Sequence, residues 1–267
     1  MPAPDLEIGV IYTYERELMP RLLETLAASG DGLRLRLILV DNASANGIQE
    51  WRHYFADTFS LRNEQRLAYA SNLNRIIAVS SAPYLLLLNT DMYFDPASQC
   101  LRRMVELMES RPRCGLAGCR VYHPDGTDAY AARRFPTVPV VLARRLGLKG
   151  LFRQAVQRHF YAEHAPAETF SCDWVSGCFM FLRRKALLEV GKFDESYGKY
   201  FEDVDLCLRM WRAGWQVVYH GAAYCYHFEQ RASKKLFSCD AWLHLRAYLR
   251  WLRRWGFRPY TSYGNCV

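Results

Sequence analysis

The chain has 267 residues, of which 51% are hydrophobic and 23% charged, with a formal net charge of +8. That composition suits one large α/β domain or two small ones and excludes a disordered or collagen-like chain. No run of about eighteen apolar residues occurs, and Met1-Pro2-Ala3-Pro4-Asp5-Leu6-Glu7 is not a basic start followed by an apolar core, so a cytoplasmic protein without a spanning helix or secretory signal is expected.

Ile8 to Tyr12 reads as a strand, Glu17 to Ala28 as a helix, and Leu35 to Val40 as a second strand ending at Asp41. Leu73 to Val79 follows as a helix and the Leu85 run as a third strand. This βαβαβ order predicts a parallel sheet with right-handed crossovers. Its strands end in Thr13-Tyr14, Asp41-Asn42-Ala43-Ser44 and Asn89-Thr90-Asp91, which would share one rim. The Leu85 run is apolar on both faces, so Asp91 falls where such sheets bind ligands, although an aspartate after a strand is also an ordinary turn former. No Gly-x-Gly-x-x-Gly or P-loop follows any strand. A nucleotide bound here needs another phosphate anchor, which a divalent cation on Asp91 could supply.

Asp173 to Leu182 reads as a further strand, Arg184 to Val190 as a short helix stopped by Gly191, and Phe193-Asp194-Glu195 as a turn. Val204, Leu208 and Trp211 then recur at helical spacing up to Gly214, which puts Glu202, Asp203 and Asp205 in a first helical turn. Helix capping accounts for one or two such acids. Three in four residues after two aromatics is also how a general base would be held beside a hydroxyl, and composition leaves the two readings balanced.

The nine cysteines include no Cys-x-x-Cys pair, which fits buried thiols rather than disulfides or zinc, with Cys114 and Cys119 in the core. Basic residues gather in 133–158 and 231–258 and point to an anionic surface or substrate, a solvated basic face being the even alternative. No helix-turn-helix, RNP or zinc-finger pattern supports nucleic acid as the partner. Trp242, Leu245, Leu249, Leu252 and Trp255 fall at helical spacing among Arg246, Arg250, Arg253 and Arg254. This is a basic amphipathic helix, which would pack on its own domain or dock peripherally on a membrane.

In order, Tyr12-Thr13-Tyr14, Val40-Asp41-Asn42-Ala43-Ser44, Leu88-Asn89-Thr90-Asp91, Trp174-Val175-Ser176-Gly177, Gly191-Lys192-Phe193-Asp194-Glu195, the segment from Phe201 to Arg209, and His227 resemble family 2 glycosyltransferases of the GT-A fold. The resemblance covers nearly the whole chain, and the closing stretch from Glu229 to Ser238 with His244-Leu245-Arg246 is similar to bacterial rhamnosyltransferases. It implies an α/β, Rossmann-like, mostly parallel sheet with flanking helices. Residues 1–228 would form the GT-A domain, with 1–95 the nucleotide half and 96–228 the acceptor and catalytic half, and 229–267 would pack on it as a helical extension.

The resemblance further implies inverting, metal-dependent transfer of a sugar to a hydroxyl of a bacterial cell-surface glycan or lipid-linked saccharide. L-rhamnose from dTDP-L-rhamnose is the first expectation, with a UDP- or GDP-sugar, or a non-catalytic nucleotide-sugar-binding module, as alternatives. Thr13, Tyr14, Asp41, Asn42, Arg66, Asn72, Asn89, Thr90 and Asp91 would bind the donor, and Asp91 and His227 would hold Mg2+ or Mn2+. Asp203 would be the general base with Glu202 beside it, and Trp174, Ser176 and Gly177 the floor under the acceptor. The chain departs from the family at Asn63-Glu64-Gln65-Arg66-Leu67-Ala68-Tyr69-Ala70, where Arg66 or a neighbour replaces a glycine, and in having a single Asp in Asn89-Thr90-Asp91.

Overall fold

The computed structural model describes residues 3–30, 32–145, 150–228 and 239–256. The first half is the expected unit with one more strand: β1 (Leu6–Tyr12), α1 (Met19–Ala28), β2 (Leu35–Asp41), β3 (Thr58–Arg62), α2 (Tyr69–Val79) and β4 (Tyr84–Leu88). β2 and β4 flank β1, both parallel to it, and β3 adds in parallel on the outside of β2. β3 is a half-exposed edge strand, so its sequence, Thr-Phe-Ser-Leu-Arg, lacks the apolar run that marks its neighbours. β4 is buried along its whole length, as a strand covered on both faces must be.

The second half comprises β5 (Met92–Tyr93), α3 (Cys100–Ser110), β6 (Cys114–Tyr122), β7 (Ala132–Arg133), α4 (Val138–Arg145), α5 (Arg153–His159), β8 (Thr169–Ser171), β9 (Trp174–Val175), β10 (Phe179–Arg183), α6 (Arg184–Val190), α7 (Glu202–Arg212), β11 (Gln216–His227) and α8 (Cys239–Trp255). One nine-stranded sheet runs β3-β2-β1-β4-β10-β6-β11-β5, with β8 on β11, while β7 and β9 pair separately. β10 is antiparallel to both β4 and β6, and β11 returns parallel to β6. This is the mostly parallel α/β architecture expected.

Asp173 to Leu182 is not one strand. β9 leaves the main sheet to pair with β7, and β10 enters it only after the turn at Ser176-Gly177-Cys178. An unbroken apolar stretch gives no periodicity from which to read such a break.

Cys100, Cys114, Cys119, Cys172, Cys178, Cys207 and Cys225 are free and buried, Cys114 and Cys119 in the core as expected. No described helix is long and apolar enough to cross a membrane.

α8 forms where the tail pattern put a helix but buries a different seam. Ala247, Tyr248 and Trp251 face the core, Trp251 packing on Phe135 and Phe201. Leu252 and Trp255 are half-buried, whereas Trp242, Leu245 and Leu249 remain 60%, 48% and 45% exposed. The seam is selected by what α8 meets. Tyr200 donates its hydroxyl to Asp240 (3.0 Å) and Trp255 its indole N–H to the fully buried Asp205 (2.8 Å). The stretch from Glu229 to Ser238 lies outside the described residues.

Candidate active site

The rim at the carboxyl ends of β1, β2 and β4 gathers most of the expected donor residues. Asp41 is 1% exposed, and its Oδ1 accepts from the Ser44 amide (2.8 Å), closing a turn in which Ala43 is left-handed. Its Oδ2 makes no hydrogen bond, although Arg62 Nη1 lies 3.0 Å away. Asn42 Oδ1 accepts from Asn63 Nδ2 (2.8 Å) and the Leu67 amide (2.8 Å), and its amide nitrogen reaches Thr13 Oγ1 (3.3 Å).

Asn63 also donates to Asn72 Oδ1 (2.6 Å), and Asn72 in turn donates to the carbonyls of Leu67 and Ala68. Asn72 is fully buried, so it shapes the 63–68 loop and does not line the cleft as expected of a donor ligand. That loop presents Arg66, whose guanidinium lies 6.0 Å from the exposed Tyr14 ring, at the mouth of the rim.

A second cluster is built by strand pairing. β5 begins just after Asp91 and pairs antiparallel with the end of β11, Met92 opposite His227. His227 Nε2 thereby comes 3.0 Å from Asp91 Oδ1, and the Phe228 amide donates to the Asp91 carbonyl (2.8 Å). Both facing atoms are buried and lack a well-angled hydrogen bond. One carboxylate oxygen and one imidazole nitrogen suit Mg2+ or Mn2+, and a 3.0 Å separation is about the edge of an octahedron with bonds of about 2.1 Å. No group of three or more His, Cys, Asp or Glu could hold a metal among the described residues, so an ion here would take its remaining ligands from diphosphate and water.

The third cluster sits at the start of α7. Tyr200 and Phe201 are both left-handed (φ 73° and 69°), a conformation costing of order 1–3 kcal/mol for each such side chain. They turn the chain so that Glu202 and Asp203 open the helix. Asp203 Oδ2 accepts from the Gly177 amide (2.9 Å) and Oδ1 from the Val204 amide (2.8 Å). A Cβ on Gly177 would stand 3.2 Å from Asp203 Oδ2, so the β9–β10 turn approaches this closely because the residue is glycine.

Burial raises the proton affinity of Glu202 well above the usual carboxylate range, with the neighbouring charge of Asp203 adding to it, and Glu202 Oε2 has no hydrogen-bond partner. Burial raises Asp203 as well, opposed by the two amides it accepts from. Asp205, the third acid, belongs elsewhere. It takes Arg209 Nε (2.8 Å), Tyr197 Oη (3.3 Å) and Trp255, and serves to bind α8 to α7.

The second and third clusters are neighbours, because the Asn89 amide donates to the Cys178 carbonyl (3.1 Å) next to the Gly177 amide that holds Asp203. Tyr69 donates to Asn89 Oδ1 (2.9 Å), and its proton is held firmly, first by burial and then by the charges of Glu202, Asp203 and Asp91. Ser176 and Gly177 border the cleft through the turn beside Asp203. Trp174 is buried and spends its indole N–H on the Arg134 carbonyl (2.9 Å), while Arg133 lies over its ring at 5.0 Å, so the tryptophan is a wall more than an open platform. Thr90 is buried beside Asp91.

Sequence reasoning missed Tyr69 and Arg133. The charge of Arg133 acts on Asp203 and favours its ionised form. Tyr69 stands at the family departure near Ala70 and could have been noticed there. Arg133 carries no signal beyond membership of a basic stretch.

The family model described as Glycosyl transferase family 2 matches residues 8–191. The N-acetylglucosaminyl-diphospho-decaprenol L-rhamnosyltransferase of Mycobacterium tuberculosis is 27% identical over 79% of this chain and 71% of its own length. The rhamnosyltransferase WbbL of Escherichia coli is 24% identical over 89% of each. Among solved structures, the mannosyltransferase PcManGT of Pyrobaculum calidifontis, in complex with GDP-Man and Mn2+, superposes with TM-score 0.59 at 16% identity, over 95% of this chain and 72% of that one. GalNAc-T7 with UDP, GalNAc and Mn2+ gives 0.64 at 11%, over 95% and 48%. These likenesses identify the fold as GT-A.

Proposed function

The chain belongs to glycosyl transferase family 2 and is a glycosyltransferase, and from that premise we propose that it moves a sugar, L-rhamnose first among candidates, from a nucleotide diphosphate to a saccharide on a lipid diphosphate, with inversion and with a divalent cation. The observation that carries this reading is that the Asn89–Asp91 segment, whose Asp91 faces His227, is hydrogen-bonded to Cys178 beside the Gly177 amide that holds Asp203.

Thr13, Asp41, Asn42 and Arg66 receive the nucleoside at the rim. Asp91 and His227 would hold the cation, which would supply positive charge against the negative charge developing on the departing diphosphate. Asp203, fixed by the Gly177 and Val204 amides, accepts the proton of the attacking acceptor hydroxyl, and one such base suffices for a single displacement. Burial and the charge of Asp203 push Glu202 up to about 8, which favours its neutral form beside the base. Arg133 helps to keep Asp203 ionised between turnovers. The outward stripe of Trp242, Leu245 and Leu249, flanked by Arg246, Arg250 and Arg253, gives α8 an apolar and basic face toward an anionic bilayer that would carry such an acceptor.

Calorimetric titration with dTDP, UDP and GDP, each with Mn2+ and with chelator, tests the reading. Binding of one nucleotide only in the presence of metal is expected, dTDP first. Binding indifferent to metal, or absent for all three, overturns it.

A further inference from the structure

The reaction cleft has a neighbour. A cavity of about 430 Å³ lies between the start of α2 (Ala68, Tyr69), the turn Ser196–Lys199, and α8 (Leu243, Arg246, Ala247, Arg250). Among the described residues, the charged side chains lining it are all cationic: Lys199, Arg246 and Arg250. Lys199 Nζ is answered by Asp240 Oδ1 at 3.0 Å. Among the described residues no carboxylate lies within ion-pair distance of Arg246 or Arg250, so the cavity holds a positive surplus.

The cavity also adjoins the acids. Tyr69 is one of its walls and reaches Asn89 with its hydroxyl (2.9 Å), while Lys199 precedes Glu202 by a single left-handed turn. None of Thr13, Tyr14, Asp41, Asp91 and His227 lines it, so it is separate from the nucleotide rim and the cation pair.

Resting on the transferase reading above, we propose that this cavity is an anion subsite for the acceptor, seating the phosphate or diphosphate through which the acceptor saccharide is joined to its lipid. Guanidinium groups match phosphate oxygens two at a time, and the volume is that of a small-molecule site. The placement also orders the acceptor: its saccharide points past Tyr69 toward Asp203, its anion meets Arg246 and Arg250, and its hydrocarbon leaves over Trp242, Leu245 and Leu249 on the same helix.

The test is titration of the whole chain with undecyl diphosphate in chelator, so that the Asp91–His227 pair cannot take up a metal-bridged diphosphate. Saturable one-to-one binding is expected, weakened about tenfold in Arg246→Ala and in Arg250→Ala and partly restored in Arg246→Lys and Arg250→Lys. Both alanine variants should keep the parent's affinity for nucleotide with Mn2+, which reports an intact fold. Inorganic phosphate should bind more weakly than undecyl diphosphate at the same residues. No saturable binding, or equal binding in parent and alanine variants, overturns the proposal. Loss in the variants of binding to phosphatidylglycerol vesicles alone, without saturable undecyl diphosphate binding, makes the cavity a headgroup contact and overturns it too. Nucleotide binding that is intact while undecyl diphosphate fails removes only the subsite, whereas absent nucleotide binding removes the transferase mechanism itself.

Discussion

Trp255 donates its indole N–H to Asp205 at 2.8 Å, so the last turn of α8 is hydrogen-bonded to the helix that opens with Asp203. Asp205 is fully buried, and without Trp255 it would keep Arg209 and only the longer Tyr197 bond (3.3 Å). Trp255→Phe keeps most of the ring but withdraws a donor from a buried carboxylate. It should lower the free energy of unfolding by about 1–3 kcal/mol in denaturant titrations. An unchanged midpoint would mean that the bond adds nothing to stability.

Asp203→Asn preserves the shape of the residue and removes its basicity. Transfer should fall by about 10²–10⁴-fold in kcat, while nucleotide and Mn2+ affinities stay near the parent values. Turnover that survives the substitution would remove Asp203 from the role of base.

His227→Ala and Asp91→Asn each delete one half of the facing pair. Nucleotide affinity measured with Mn2+ should drop by at least about tenfold in both, and affinity measured in chelator should stay unchanged. Equal losses in the two conditions would point to a nucleotide contact and not to a metal ligand.

The acids at the start of α7 make stability depend on pH. Burial raises Glu202 and Asp203 above their ordinary values of 4.5 and 3.8. A carboxyl with raised proton affinity in the folded state stabilises the fold fully below its ordinary value, and that stabilisation is lost as pH climbs through the folded-state value. Thermal stability should therefore decline from about pH 5 upward, and Glu202→Gln, which cannot ionise, should flatten the decline. Parallel melting curves of parent and variant would assign the titration to another group.

Flotation with vesicles containing anionic lipid reads out the exposed face of α8. The parent should float at low salt and release as salt rises, and the triple change Trp242→Ser, Leu245→Ser, Leu249→Ser should stay at the bottom of the gradient. Flotation that is the same for both would assign any membrane contact to a different surface.

The first half of the chain was legible because its signals are local. Leu85 to Leu88 could only be an interior strand, and polar residues at three strand ends had to share a rim once the strands were parallel. The start of α7 was legible from its acids and the Val204, Leu208, Trp211 spacing. The Asp91–His227 contact rests on β5 pairing with β11 across most of the second half of the chain, which no local pattern encodes and the family resemblance alone suggested. Asn72 looked like a ligand because asparagine serves equally in a cleft and in a buried network, and only its partners Asn63, Leu67 and Ala68 decide between them. α8 carries apolar residues on two faces, so its buried seam was fixed by Phe201 and Asp205 and not by its own periodicity.

Tyr200 and Phe201 are kept left-handed by residues made late: the Tyr200 hydroxyl meets Asp240, and the Phe201 ring is boxed by His244, Tyr248 and Trp251. During synthesis from the N-terminus, β1 to β4 can find one another early, whereas β4 waits for β10, and β6 for β11. The turn that leads into Glu202 and Asp203 therefore gains its α8 contacts only after the ribosome has released that helix. The parallel strands β1 to β4 can thus pair before α8 exists, whereas the backbone at Tyr200 and Phe201 acquires its restraints last.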